Sequence, residues 1–309
     1  MRPSRLQGAL ALAATVGLVL AACSNSATPT GGGTTPSATT TGLTKDPTIA
    51  AEVPADIAAK GSITVATDPS YAPNEFVGAD NKTIEGWDIE LGNALGTVMG
   101  LKFNFVKAGF DGILAGLQSG KYDLSMSSFT DNKEREKTVD MVTYFSAGTS
   151  FYTKTGGPSI GSLADLCGHK VAVEKGTTQL DDSTAQSKKC TDAGKPKVTV
   201  LAFPDQNGAN LALSSDRADV AMADSPVAAY QVKLLNGQFV LSGQAYGVAP
   251  YGIPVPRPVG TAPGSAPMSK PILDALNKLI ADGVYMQILT KWGVQAGAIT
   301  NAVINGAVS

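Results

Sequence analysis

From residue 61 onward, short β-rich runs alternate with stretches of helical spacing, and after Gly156-Gly157-Pro158 the alternation starts again. Residues 62–66 (SITVA), 102–106 and 123–127 read as strands. Residues 88–99, with Ile89, Leu91, Leu95 and Val98 at helical spacing, and residues 110–118, closed by Gly120, read as helices. The second pass places strands at 169–174, 198–203 and 219–223, and helices at 177–189, 205–215 and 226–235. Two further helices are expected at 270–282 and 284–292, each with an apolar stripe suited to core packing. Such alternation favours parallel strands with covering helices, so the expected class is α/β with two lobes, each a mainly parallel sheet flanked by helices. A length of 309 residues accommodates two lobes of about 100 to 150 residues and a terminal extension.

That extension is expected at the front. Arg2 and Arg5 precede an apolar run, residues 6–22, which is short for a membrane span and laid out like a secretory signal peptide. It ends in Leu20-Ala21-Ala22-Cys23, which resembles the lipobox of bacterial lipoproteins. The resemblance implies cleavage after Ala22 and a diacylglycerol on Cys23, with acyl chains contributing about 0.8 kcal/mol per buried methylene. An ordinary signal peptide cut at small residues, with Cys23 incidental, is the competing reading. From 24 to about 44 the chain is nearly all Ser, Thr, Gly, Pro, Ala and Asn, which cannot bury enough apolar surface to fold. Residues 23–60 are therefore expected to be the lipidated cysteine and a tether, and about 35 flexible residues reach roughly 30 to 35 Å.

A net charge of −2 without clustered Lys and Arg argues against a nucleic-acid partner. A single His argues against a His-rich metal site and a Ser-His-Asp hydrolase, so no metal, cofactor or catalytic group is expected.

Open α/β sheets bind ligands at the carboxyl ends of their strands, where helix N-termini present unpaired N–H groups. Those places hold Asp68 and Tyr71 after the first strand, and Ser127, Ser128, Phe129 and Thr130 after the third, followed by Arg135. In the second pass they hold Thr177 and Thr178, then Asp224. Taken singly these residues read as helix caps, core aromatics or solvated charges. In order, the strings TDPSYAP, GWDIEL, FDGILAGLQSGKYD, SSFTDNKERE, VAVEKGTTQ and ADSPVAAY resemble bacterial extracellular solute-binding protein family 3, the polar amino-acid receptors of ABC importers. The resemblance covers residues 61 to about 293 and implies a two-lobed, type II periplasmic-binding-protein-like fold with a ligand cleft between the lobes.

The resemblance also implies roles. Arg135 matches the arginine that grips the ligand α-carboxylate, a task suited to a bidentate guanidinium. Thr178 and its backbone amide, at a helix start, are expected to hold the same carboxylate from the other lobe, with Thr177 beside it also counted as ligand-binding. Asp224 matches the aspartate that pairs with the α-ammonium, Ser128 and Thr130 match positions supplying carbonyl and hydroxyl contacts to that group, and Ser127 and Phe129 beside them are counted among the expected ligand-binding residues. Phe110 and Tyr71 match aromatics that sandwich the ligand stem. Asp68 either contacts the ligand side chain or fixes the turn before Tyr71; near the cleft it favours a cationic or amide side chain, with Lys175 a neighbour able to reverse this. Trp87 is expected to be structural.

Two departures stand out. Asn74 and Glu75 follow Pro73 where the family has an aromatic before the acid, so an altered pocket rim is expected. Residues 249–267 are richer in proline than the family's return strand, so that strand is expected to be short or displaced.

The expected organisation is a signal peptide at 1–22, the anchor and tether at 23–60, one lobe from 61–150 plus 249–295, and a second from 151–248. Hinge crossings fall near 150–154 and 241–248, and 296–309 is left as a C-terminal tail. The function implied is a monomeric, exported binding protein, lipid-anchored at the outer face of the cell membrane, that delivers a polar amino acid to an ABC transporter permease. It is not an enzyme on this reading. The alternatives are a secreted cyclohexadienyl (arogenate or prephenate) dehydratase on the same scaffold, which needs a general acid or base beyond the amino-acid clamp, and an amino-acid sensor. With Cys23 set aside for lipid, Cys167 and Cys190 remain as an even pair in an oxidising setting. A disulfide between them closes a loop of about 23 residues worth about 3 kcal/mol, whereas a metal or reactive pair lacks a His or third Cys to complete it.

Overall fold

A computed structural model describes residues 42–308, so the expected signal peptide, Cys23 and about half of the expected tether lie outside the described residues. The folded part begins earlier than the composition suggests. Helices α1 (Pro47–Glu52) and α2 (Ala55–Lys60) occupy the end of the stretch expected to be tether. Asp46 caps α1, its side chain accepting from the Thr48 and Ile49 amides at 2.9 and 3.2 Å, and Ile49 and Val53 are buried in the core. A good cap and two apolar anchors are enough to dock a segment too short to be helical alone.

Strand β1 (Ser62–Thr67) leads into a small antiparallel meander, β2 (Ser70–Tyr71), β3 (Glu75–Val77) and β4 (Ile84–Glu85). Gly86 then turns the chain into α3 (Trp87–Met99): its φ is 133°, and a Cβ there would lie 2.0 Å from the Asn74 carbonyl oxygen, so only glycine fits. Strand β5 (Lys102–Lys107), helix α4 (Phe110–Gln118) and strand β6 (Leu124–Ser125) complete a parallel sheet in the order β5-β1-β6. Trp87, Leu91, Leu95 and Val98 of α3 are fully buried against it, each apolar side chain contributing about 1.5–3 kcal/mol.

Two long strands follow different rules from the alternation around them. Strand β7 (Val139–Lys154) precedes β8 (Lys170–Glu174), α5 (Thr178–Asp192), β9 (Thr199–Phe203), α6 (Gln206–Ser214), β10 (Val220–Asp224) and α7 (Ser225–Leu234), and β11 (Phe239–Pro256) then returns antiparallel to β7. The five-stranded sheet has the order β11-β7-β10-β8-β9, with β8 parallel to β9 and β10, and β7 antiparallel to β10. Val142, Tyr144, Phe145, Tyr251 and Ile253 of the long strands pack in the core of the first sheet, whereas Phe151, Tyr152 and Phe239 pack in the cores of the second. Register shifts lie between Ser242 and Tyr246 and between Tyr246 and Ala249. Helices α8 (Ser269–Ala281) and α9 (Val284–Trp292) close the first core with Ile272, Leu276, Leu279 and Leu289.

Three expectations change. The proline-rich stretch does not shorten β11, which carries Pro250, Pro254 and Pro256 to its end. Gly252, of the same parity, donates its N–H to the Phe129 carbonyl, away from β7, so prolines on that side remove no donor from the ladder. The C-terminal stretch is no loose tail: Asn305 exchanges hydrogen bonds with Met141, and the Gly306 and Ala307 amides donate to Asp131 and Glu136 at 2.8 and 3.0 Å. The end of the stretch expected to be tether is helical, in α1 and α2. Cys167 and Cys190 form a disulfide, with Cα atoms 5.7 Å apart, pinning the loop before β8 to α5. Among the described residues, no helix is long and apolar enough to cross a membrane.

Candidate functional site

A cavity opens where the carboxyl ends of β1, β6, β8 and β10 converge. It is lined by Asp68, Tyr71, Phe110, Ser127, Ser128, Thr130 and Arg135 from one side and by Thr177, Thr178 and Asp224 from the other. Phe129 lies one layer behind, its ring stacked on that of Phe110 with centroids 4.2 Å apart.

Arg135 begins a single 3-10 turn (Arg135–Lys137). Its amide donates to the Asn132 side chain at 2.9 Å, which fixes the turn. The guanidinium is buried, donating to the Thr130 carbonyl at 2.8 Å and, across the cavity, to the Gly176 carbonyl at 3.1 Å. It lies 4.9 Å from the centroid of Phe129 and 5.6 Å from that of Phe110. Burial brings its pKa down to about 10, opposed by Asp224, Asp181 and Asp131, so it stays charged at neutral pH. Gly176 has φ 78°, and a Cβ there would sit 2.9 Å from the Asp111 Cα, so this close approach of β8's exit loop to α4 needs glycine.

Asp224 ends β10. Its carboxylate accepts from the Tyr251 hydroxyl at 2.6 Å and the Gln179 amide at 2.7 Å, and its backbone N–H donates to the Tyr71 hydroxyl at 2.9 Å. Burial raises its pKa, and Tyr251, Gln179 and Arg135 hold it down. Thr177 caps α5, donating to the Glu174 carbonyl at 2.7 Å and accepting from the Leu180 amide at 3.3 Å, which leaves the first amides of α5 facing the cavity wall that Thr178 forms.

Asp68 lines the cavity, and its carboxylate accepts from the Phe110 amide at 3.0 Å, which starts α4. Its amide donates to the Ser127 hydroxyl at 2.9 Å. Ser128 adopts a left-handed φ of 55°, rare for a residue with a Cβ. That conformation directs its amide to Asp88 and Tyr144 and its hydroxyl to Glu75 at 3.2 Å.

Three cavity residues lie outside the set expected from sequence: Glu75, Glu174 and Gln179. Gln179 reveals itself only as the second helical residue after the Thr177 cap. Glu174 was visible as a charge ending an apolar strand at the binding edge. Glu75 shares a hydrogen bond with buried Asp88, and burial together with the Asp88 charge pushes Glu75 well above the usual carboxylate range; burial likewise takes Asp88 to about 7. Asn74 is not at the rim. It is buried behind the cavity, accepting from the Trp87 indole at 2.7 Å and donating to the Ser128 hydroxyl at 2.8 Å. Lys175 is exposed and does not line the cavity. No group of three metal-ligating side chains able to hold an ion gathers among the described residues.

The family model described as bacterial extracellular solute-binding proteins, family 3, matches residues 63–295. The chain is 33% identical over 260 residues to the arginine-binding protein ArgT of Corynebacterium glutamicum, covering 84% of this chain and 83% of that one. It superimposes with a TM-score of 0.67 on an ancestral arginine-binding protein bound to arginine, at 35% identity over 75% of this chain and 98% of the other. An ancestral amino acid-binding protein described as a precursor of cyclohexadienyl dehydratase matches with a TM-score of 0.65 and 32% identity, over 77% of this chain and 97% of that one.

Proposed function

Because the chain belongs to the bacterial extracellular solute-binding proteins, family 3, we propose that it is the amino-acid receptor of an ABC importer, taking a cationic amino acid, L-arginine first, into this cavity and delivering it to a membrane permease. The observation that carries the reading is the set of ionisable groups lining the cavity: Arg135 stands with four acids, Asp68, Glu75, Glu174 and Asp224. An amino acid's α-carboxylate goes to Arg135 and the first turn of α5, where guanidinium and helix amides converge. Its α-ammonium goes to Asp224, already oriented by Tyr251 and Gln179. The remaining carboxylates then call for a positive side chain, with Phe110 and Tyr71 flanking the aliphatic stem.

The two lobes of this reading are residues 61–150 with 249–295, and residues 151–248, joined by the long strands β7 and β11. Supporting it, Ser70 accepts from the Gln206 amide at 3.1 Å and Tyr71 from the Asp224 amide at 2.9 Å, contacts that hinge opening would break and a bridging ligand would favour. The closed form is what the permease recognises. Lipid on Cys23 keeps the receptor at the outer face of the membrane.

A thermal-shift screen of the twenty amino acids tests the ligand class. L-arginine should give the largest shift, since a ligand at one hundred times its Kd adds about 2.7 kcal/mol. Stabilisation by glutamate or aspartate and not by arginine or lysine would sink the cationic reading.

A further inference from the structure

Within the cavity, Glu174 is the acid whose charge is least provided for. Its residue is 3% exposed, and its Oε1 has no hydrogen-bond partner. A buried carboxylate oxygen without a donor costs several kcal/mol if charged, so folding alone gives no reason for it here. Glu75, by contrast, accepts from Ser128 at 3.2 Å and Ser127 at 3.4 Å and shares a hydrogen bond with Asp88. Asp68 accepts from the Phe110 amide, and Asp224 from Tyr251 and Gln179.

Among the described residues, no side chain supplies the missing cation. Arg135 is committed to the Thr130 and Gly176 carbonyls, and Lys175, next to Glu174 in the chain, points out of the cavity into solvent as an exposed residue. The charges acting most on Glu174 are Asp68, Asp205, Asp224 and Asp111, all of its own sign; burial first and these charges next push its carboxyl well above the usual range. The site therefore holds a buried, unpartnered acceptor, aimed into a ligand cavity and surrounded by negative charge.

We propose that Glu174 is the specificity-determining residue of the cavity, its free carboxylate oxygen accepting a hydrogen bond from the cationic end of the ligand side chain and so selecting a guanidinium over a neutral group of the same shape. This rests on the amino-acid-receptor reading and deepens it. The acceptors around the side-chain space come from separate elements: Glu174 at the end of β8, Asp68 after β1 and Glu75 in β3. A planar guanidinium presents five donors in a fixed fork, so it serves several such acceptors at once, where an ammonium presents three. A neutral urea group of matching shape brings no charge and leaves the repulsion among these carboxylates unrelieved.

The test is calorimetric titration of the full folded chain and its Glu174→Gln and Glu174→Asp variants with L-arginine and with L-citrulline, its neutral isostere. The wild-type chain should prefer arginine. Glu174→Gln should weaken arginine binding by about 10- to 100-fold, as expected for a lost charged hydrogen bond, and leave citrulline unchanged or tighter. Glu174→Asp, which keeps the charge, should retain the preference for arginine. The ligand-free Glu174→Gln variant should melt higher than wild type at neutral pH, since folding no longer has to suppress the ionisation of a buried carboxyl, and this also certifies its fold. Equal weakening of both ligands, or an unchanged ratio, overturns the role of Glu174 while arginine binding by the wild type upholds the receptor reading. A wild-type chain that binds no amino acid overturns both.

Discussion

Arg135 and Asp224 reach the cavity already provided with partners, two carbonyls for the one and a tyrosine and a glutamine for the other, whereas Glu174 reaches it with an oxygen that has no hydrogen-bond partner among the described residues. The two situations differ in what they ask of a ligand. A charge held by its own neighbours is preorganised: it stays in place when the site is empty and recognises groups common to every amino acid. A charge without a partner is costly until a ligand neutralises it, and so it discriminates among side chains. On the proposed function, general recognition and selection in this cavity fall to different residues.

The largest effect expected on that comparison comes from Arg135→Ala. It should remove about 3 to 5 kcal/mol of binding for every amino acid alike, because Asp224 and the other carboxylates lose their one buried cation, with the circular dichroism spectrum unchanged. A variant that loses arginine yet keeps glutamine in calorimetry would break the division between clamp and selector.

A smaller effect should appear as a slope in stability with pH. The carboxyls of Glu174, Glu75 and Asp88, the last at about 7, are all raised by burial, and Asp131 rises to about 7 by burial and the nearby Glu136. A carboxyl raised in the folded state contributes stability that is fully present below its unfolded pKa and is lost as the pH climbs through its folded value. Thermal melts of the ligand-free protein should therefore fall by on the order of a few kcal/mol between about pH 5 and about pH 8, and saturating arginine should flatten the slope. A melt that instead rises over this window would mean the cavity charges are compensated in a way this geometry does not contain.

The mildest expected change is Tyr251→Phe. Loss of the 2.6 Å bond to Asp224 should cost about 1 kcal/mol for all ligands equally, read as a parallel shift in calorimetric affinities. A shift confined to arginine would place Asp224 among the selecting charges.

Much of the molecule was open to reading from the chain because its signals are local. Helix α3 announces itself through Ile89, Leu91, Leu95 and Val98, and α5 through the Thr177 cap. The expected site residues could be found because α/β chains gather their loops at one edge of each sheet, so position after a strand stands in for position in space. Helices α1 and α2 were hidden in a polar segment, since their stability comes from docking Ile49 and Val53 rather than from any pattern of their own. The C-terminal stretch was hidden for the same reason, held by Met141, Asp131 and Glu136 more than 160 residues away in the chain.

The amino-acid sequence by itself determined the α/β class, the order of elements and which short strings would meet at the strand ends, because periodicity and caps act between neighbours. Only the tertiary structure decided that β7 and β11 run unbroken through both cores, that the prolines of β11 face away from its partner, and that Asn74 turns inward while Glu75 and Glu174 enter the cavity. Whether a polar atom has a partner is a property of the groups that fold against it. No reading along the chain could show that Glu174 would have none.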